Sequence, residues 1–307
     1  MQKSQSGISA SSNLICFNAY GSPVPSFAYI RYATVKDTHS VSLAFYVDTS
    51  KASNGLEILR SVDNVNFQSV TIIPTSSMNP SYFYTDNSPQ INTIQTPYYY
   101  KAYILDSCGN RRNPTNTTKT ILLKVRKDKT QSYTAIVNWD DYQGWPTGVS
   151  DYYIYRVVDN TQETTPRAIV PASIRTYSDD YSDLYEYSGK IGYVVLAAEN
   201  FGNPFGFIES SSSNTAFIME EGDVFIPNAF APNGVNYEWK PVFQFPNPED
   251  YHLWIYDRWG KQIFTTNDIN RAWDGGDYPQ GVYVYLIRYK NARGEYVELK
   301  GSITLLR

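Results

Sequence analysis

An internal duplication limits the fold more than any other feature of the sequence. VSLAFYVD (Val41–Asp48) lies over TAIVNWDD (Thr134–Asp141) at an offset of 93 residues, and ILRSVDN from Ile58 lies over IYRVVDN from Ile154 at 96. YTDN from Tyr84 over YSDD from Tyr177, and Cys108–Asn110 over Phe201–Asn203, return to 93. An offset that grows by three and then shrinks places a longer loop in the second copy, within DDYQGWPTGVSD, because loops absorb insertions that strands do not. Two tandem units of about 93 residues follow.

Each copy carries alternating runs such as YYYKAYILD and IGYVVLAAE, separated by Gly, Asn, Asp and Pro turns, and no segment has a helical period. Tyr, Phe and Trp make up 16% of the chain, which suits short, half-buried strands. The formal net charge of −4 supplies no basic field for phosphates, so no nucleic-acid partner is expected. No apolar run approaches the roughly 20 residues that span a bilayer as a helix. The first residues, MQKSQSGISASSNLICF, lack the apolar core of a signal peptide, so an exported form is expected to come from a longer precursor.

After SSSSN (Ser210–Asn214) and MEEGD (Met219–Asp223) the repeat stops and a third unit begins. YHLWIYDRWGKQIFTT predicts a hairpin with Leu253 and Ile255 on one face, Trp254 and Tyr256 on the other, and Gly260 in the turn. GVYVYLIRYKNARGEYVELKGSITLLR predicts further strands, turning at Asn291–Gly294 and bending at Gly301.

The two copies resemble fibronectin type III domains: an early strand with an aromatic (Tyr46, Trp139), a strand ending in Arg (Arg60, Arg156), then a Tyr-Thr/Ser-Asp turn. The third unit strongly resembles the gliding motility-associated C-terminal domain, the type B sorting domain of the type IX secretion system. FIPNAFAPNG, IYDRWGKQIF, WDGG, GVYVYLIRY and KGSITLLR carry that resemblance in order. Its pattern matches at Pro227, Asn228, Phe230, Pro232, Asn233 and Gly234, at Tyr256, Asp257, Arg258, Trp259 and Gly260, and at Trp273, Asp274 and Gly275. It matches again at Gly281, Tyr283 and Tyr285 and at Lys300, Gly301, Leu305 and Arg307. Where the family commonly has closely spaced carboxylates after the first Gly, this chain has VNYEWKP (Val235–Pro241), so no cation is expected in that loop.

The expected architecture is therefore all-β, three tandem immunoglobulin-like or fibronectin type III-like β-sandwiches at 14–127, 128–220 and 223–307. The resemblance implies export through the periplasm to the outer cell surface or extracellular space. The partners it implies are the type IX secretion translocon and an outer-membrane β-barrel protein. Candidate contacts are Asp257, Arg258 and Trp259 in a turn, and Lys300, Gly301, Leu305 and Arg307 on a final strand whose free edge invites β-augmentation. The repeats serve as stalk or adhesive spacer; the alternative is an adhesin or carbohydrate-binding module whose recognition surface lies in the repeats. Tyr142 and Trp145, in the lengthened loop, read either as an aromatic ligand tip or as a cap on the interface between repeats.

Catalytic chemistry is not expected. His39 and His252 fall in different domains and read as surface or strand residues. The pairs Asp140–Asp141 and Asp179–Asp180 are chain neighbours that do not converge, and DDYSDLYE (Asp179–Glu186) reads as a solvated loop. No cofactor or metal is expected. Cys16 and Cys108 lie 92 residues apart, too far for a zinc knuckle or redox pair. They read as a disulfide, worth roughly 4 to 5 kcal/mol in the chain-entropy account, or else as two buried thiols.

Overall fold

The computed structural model describes residues 25–51, 53–75, 79–106, 108–184, 189–244, 249–291 and 293–307. Among them the only helical element is a 3-10 turn at Ser182–Leu184. Cys16 lies outside the described residues, while Cys108 is exposed in a turn, so the expected disulfide is not placed.

The first sandwich comprises β1 (Ala28–Asp37), β2 (Ser40–Val47), β3 (Gly55–Ser61), β4 (Gln68–Ile73), β5 (Ser81–Asp86), β6 (Tyr99–Leu105), β7 (Arg111–Pro114) and β8 (Thr118–Lys119). One sheet has the order β1-β2-β5; the other runs β4-β3-β6 and then β7, with β8 pairing further along β6. The period of two in β2 sends Val41, Leu43, Phe45 and Val47 inward, where they meet Ile58, Tyr100 and Ile104 from the facing sheet.

The second sandwich repeats this plan with β9 (Leu123–Lys127), β10 (Thr134–Trp139), β11 (Val149–Val158), β12 (Thr161–Gln162), β13 (Ala168–Pro171), β14 (Thr176–Asp180), β15 (Lys190–Glu199), β16 (Ser210–Ser212) and β17 (Ala216–Met219). Its sheets are β9-β10-β14 and a group centred on β11 and β15, with β12 and β13 on one flank and β16 and β17 on the other.

The boundary at 127 moves. β9 pairs with β10 from Leu123↔Trp139 to Lys127↔Ala135, and Ile121 and Leu123 lie in the second core. A side-chain clasp fixes the same point in both copies. Asn116 accepts from the Ile30 amide at 2.8 Å and donates to the Ile30 carbonyl at 3.0 Å. Asn214 does the same to Leu123, at 2.7 and 3.0 Å. Ile30 and Leu123 are 93 residues apart, so the second unit begins with β9.

The third sandwich holds β18 (Asp223–Phe225), β19 (Ala229–Phe230), β20 (Val242–Gln244), β21 (Glu249–Tyr256), β22 (Gln262–Thr266), β23 (Gly281–Lys290) and β24 (Tyr296–Leu305). β18 and β20 form one small sheet, and the other has the order β19-β24-β23-β21-β22. The β21–β22 hairpin buries Leu253 and Ile255 as its alternation predicts. The expected bend at Gly301 does not occur: β24 keeps unbroken register with β23 from Gly281↔Leu305 to Lys290↔Tyr296. Gly301 instead makes room for the Tyr285 ring across the strand pair, because a Cβ there would lie 2.4 Å from the Tyr285 hydroxyl.

Candidate functional site

The FAPNG stretch forms a four-residue turn in which the Gly234 amide donates to the Ala231 carbonyl at 2.8 Å, with Pro232 at the second position, where its fixed φ is favoured. Just before this turn the chain is tied to the last strand, β24. β19 runs parallel to the end of β24, Ala229 beside Thr304 and Phe230 beside Leu305. The Thr304 amide donates to Asn228 O at 2.9 Å and the Leu306 amide to Phe230 O at 2.9 Å.

Trp273 and Phe230 pack with ring centroids 5.2 Å apart, and Trp239 Nε1 donates to Pro227 O at 2.6 Å. Trp239, fully buried, comes from the VNYEWKP segment, and a backbone bridge joins it to Trp273. Gly275 has φ +80°, and a Cβ on it would press on Leu305, Phe230 and Pro232 at 3.0 to 3.3 Å. Asp274 accepts from the Gly276 amide at 3.0 Å, and the Tyr283 hydroxyl donates to Pro279 O at 2.7 Å.

The structure sorts the seven proposed contact residues. Leu305 is fully buried and offers no surface to a partner, while Gly301 is half-buried against the Tyr285 ring and presents only backbone on the outer edge of β24. Asp257 is used within its turn: its Oδ1 accepts from the amides of Trp259 (2.8 Å) and Lys261 (2.9 Å). Arg307 donates from Nε to Tyr278 O at 3.0 Å and from Nη2 to Gly276 O, holding the chain end against the Gly275 loop. Arg258 and Trp259 project from the tip, the guanidinium 5.2 Å from the ring centroid and Trp259 81% exposed. Lys300 is exposed on the outer face of β24. The far end of β24 is not a free edge, since β19 occupies it; among the described residues the side of β24 away from β23 is unpaired from Tyr296 to Ser302.

Tyr142 and Trp145 do not form an exposed tip. They are 5% and 6% exposed, their rings lie 4.0 Å apart, and both face the first repeat. Trp145 Nε1 donates to Arg31 O at 2.7 Å, and the Tyr142 hydroxyl accepts from the Ala33 amide at 3.2 Å and from Thr118 Oγ1 at 2.9 Å. Around them the loop before β16 and β16 itself meet β1. Glu209 pairs with Arg31, Ser211 Oγ donates to Ala33 O at 2.8 Å, and Phe205 stacks on Tyr29 at 4.7 Å. Burial pushes the Tyr29 hydroxyl up to about 12, and it accepts from Asn203 Nδ2 at 3.0 Å. The junction to the third sandwich includes Gln244 Nε2, which donates to the Tyr133 hydroxyl at 2.8 Å.

Asp179 is not in a solvated loop. It is buried on β14 and pairs with Arg156 at 2.5 Å. Asp140 and Asp141 do converge, but on Lys119, at 2.7 and 3.3 Å. His39 is exposed in the turn after β1, and exposed His252 stacks on Trp254 at 5.4 Å.

Residues 224–305 match the family described as the CHU_C type IX secretion signal domain. This match implies handling by the type IX secretion system and export to the cell surface or extracellular space. A search of curated proteins returns no match. Among solved structures, the chain is similar to a tetra-tandem repeat from the extending region of a large adhesion protein, with 14% identity and a TM-score of 0.32; 91% of this chain and 74% of that one are covered. It is also similar to a two-domain fibronectin type III segment of chicken tenascin, with 14% identity, a TM-score of 0.24, and coverage of 64% and 99%. A third is the chicken CNTN1 FN1–FN3 segment, with 12% identity, a TM-score of 0.22, and coverage of 92% and 98%. These likenesses concern the fold alone.

Proposed function

We propose that the third sandwich is a folded export address for the type IX translocon, read together with an outer-membrane β-barrel partner after passage through the periplasm. The two repeats are then the displayed part, acting as a stalk. The observation that carries this reading is the pairing of Ala229–Phe230 with Thr304–Leu305 in a domain matched to the secretion signal family. The two ends of the FIPNAF…LLR unit complete one sheet, so the address exists as a shape only once the whole domain has folded. Among the candidate contacts, the exposure of Arg258, Trp259 and Lys300 supports them as the residues a receptor reads.

The inter-repeat contact through Trp145, Arg31 and Ser211 supports a stalk with a stiff joint, because lost hydrogen bonds and aromatic packing would oppose bending there. A second reading, a recognition surface within the repeats, draws support from a polar cavity beside Arg60. The test of the first reading is to fuse residues 223–307 behind a signal peptide and a fluorescent reporter in a bacterium with a type IX system. Surface fluorescence is the expected result; retention in the periplasm would move part of the address into the repeats.

A further inference from the structure

The duplicated arginine is closed in one repeat and open in the other. In the second repeat Arg156 is fully buried: Nε donates to Asp179, Nη1 donates to both oxygens of Asp183 at 2.9 Å, and Nη2 donates to the Asp180 carbonyl. Counting back 93 residues, Asp183 falls on Gln90 and Leu184 on Ile91, and both of those apolar side chains lie in their cores. The carboxylate that covers Arg156 therefore has an uncharged amide as its counterpart in the first repeat. Arg60 is fixed by Asp86 through Nη1 at 2.7 Å, and among the described residues no second carboxylate closes over it.

The Arg60 side chain is 16% exposed and, with Gln90, lines a cavity of about 560 Å³. That is within the size range of small-molecule sites. The wall is otherwise mostly amides and hydroxyls, including Asn66, Gln68, Ser88 and Thr96. The guanidinium lies over the Tyr98 ring, 5.6 Å from its centroid. Asp63, also on the wall, spends its oxygens on Ser61 Oγ, the Val65 and Asn66 amides and Asn66 Nδ2.

We propose that this cavity binds one neutral sugar residue of a glycan, with Arg60 donating to its hydroxyls in the position that Asp183 occupies in the second repeat. Charge selects the neutral ligand. Asp86 already balances Arg60 and Asp63 adds a second carboxylate, so a carboxylate ligand would be a third acid facing one cation. Hydroxyls accept from a guanidinium and donate to amide oxygens, which is what the wall offers. An apolar ligand would strip these groups of water without replacing the hydrogen bonds.

The test uses the full chain and saturation-transfer NMR with the methyl glycosides of glucose, galactose and mannose, and with glucuronate as the charged comparison. Gln90→Asp supplies the missing carboxylate and is expected to close Arg60 as Asp183 closes Arg156, weakening binding about tenfold, the order of one charge-assisted hydrogen bond. Gln68→Leu, at an exposed wall position, gives the same readout should the first variant fail to fold. Saturation of at least one neutral glycoside that either variant reduces would support the site. No saturation by any neutral glycoside, saturation by glucuronate alone, or saturation unchanged in the folded variants would overturn it. None of these results bears on export, which is read separately in the reporter fusion.

Discussion

Arg60 and Asp86 meet at 2.7 Å, and the Tyr100 hydroxyl donates to the same carboxylate oxygen at 3.0 Å. Arg156, Asp179 and Tyr193 form the matching triad at 2.5 and 2.8 Å, with Nε of the arginine in place of Nη1. The residues that made the duplication visible, the Arg after the Ile-rich strand and the Asp of the Tyr-Thr/Ser-Asp turn, are thus the two ends of one ion pair linking the facing sheets. Burial pushes both tyrosine hydroxyls well up, so they remain donors to the carboxylate at any working pH.

The two pairs should differ in cost when broken. Asp179→Ala leaves a fully buried guanidinium without one of its two carboxylate partners and is expected to destabilise the second repeat by about 3 to 5 kcal/mol. Asp86→Ala leaves Arg60 beside a cavity that water can enter, so its loss should be smaller. Urea unfolding of the two variants measures both; equal losses would remove the distinction between a closed and an open arginine.

Acid should weaken the first repeat through Glu57. Hydrogen bonds from Arg111 Nε at 2.6 Å and Nη2 at 2.8 Å hold its carboxyl below the ordinary value of 4.5. A carboxyl whose folded pKa is depressed contributes stability that is present above the unfolded value and lost as pH falls through the folded one. The urea midpoint should therefore fall as the pH drops below the ordinary carboxylate value and through the lower folded one, with a shallower fall in Glu57→Gln. An identical pH profile in the variant would assign the acid sensitivity to other carboxylates.

Trp145 is the test of the joint. Trp145→Ala removes a buried ring and leaves Arg31 O without its donor, a loss of about 3 to 5 kcal/mol for a large aromatic. Because the ring lies between repeats, the expected outcome is two separated calorimetric transitions and a larger radius of gyration in solution scattering. A single cooperative transition with unchanged dimensions would place the coupling in Arg31–Glu209 and the serine contacts instead.

The β21–β22 hairpin was legible in the sequence because period-two runs and turn residues are local signals. The reading of Leu305 as a surface contact overlooks the alternation in KGSITLLR, which turns Ile303 and Leu305 inward together. Other features depended on partners far along the chain. The Asn116 and Asn214 clasps have no local signature, since an amide side chain standing in for a backbone strand looks like any loop asparagine. Trp239 was hidden because VNYEWKP has no alternation, and its burial is decided by Trp273 and Pro227. Gly301 read as a bend because the residue that needs its missing side chain, Tyr285, is on another strand.

That close approach gives a double-variant test. Gly301→Val would drive a side chain into the Tyr285 ring and is expected to cost about 1 to 3 kcal/mol, as overpacking does. Adding Tyr285→Ala should recover part of the loss, although Tyr285→Ala alone is itself destabilising. Fluorescence of Trp239 and Trp273 follows the unfolding of this domain. Strictly additive losses would mean that strand geometry, and not the ring, excludes a side chain at 301.

Export should depend on the exposed tip and on the domain's fold in separable ways. Arg258 and Trp259 contribute little to the core, so Arg258→Ala and Trp259→Ala should change stability by no more than about 0.5 kcal/mol while lowering surface delivery of the full chain severalfold. Leu305→Asp puts a charge into the sheet between β19 and β23, and it should lose delivery because the domain unfolds. Deleting Lys300–Arg307 falls in the same class, since it removes Ile303 and Leu305 from the core. Protease resistance of the periplasmic fraction tells the two apart: resistant protein that is retained marks a contact residue, and degraded protein marks a structural one. Normal delivery of both tip variants would leave the unpaired side of β24, Tyr296 to Ser302, as the surface for a receptor strand to add to.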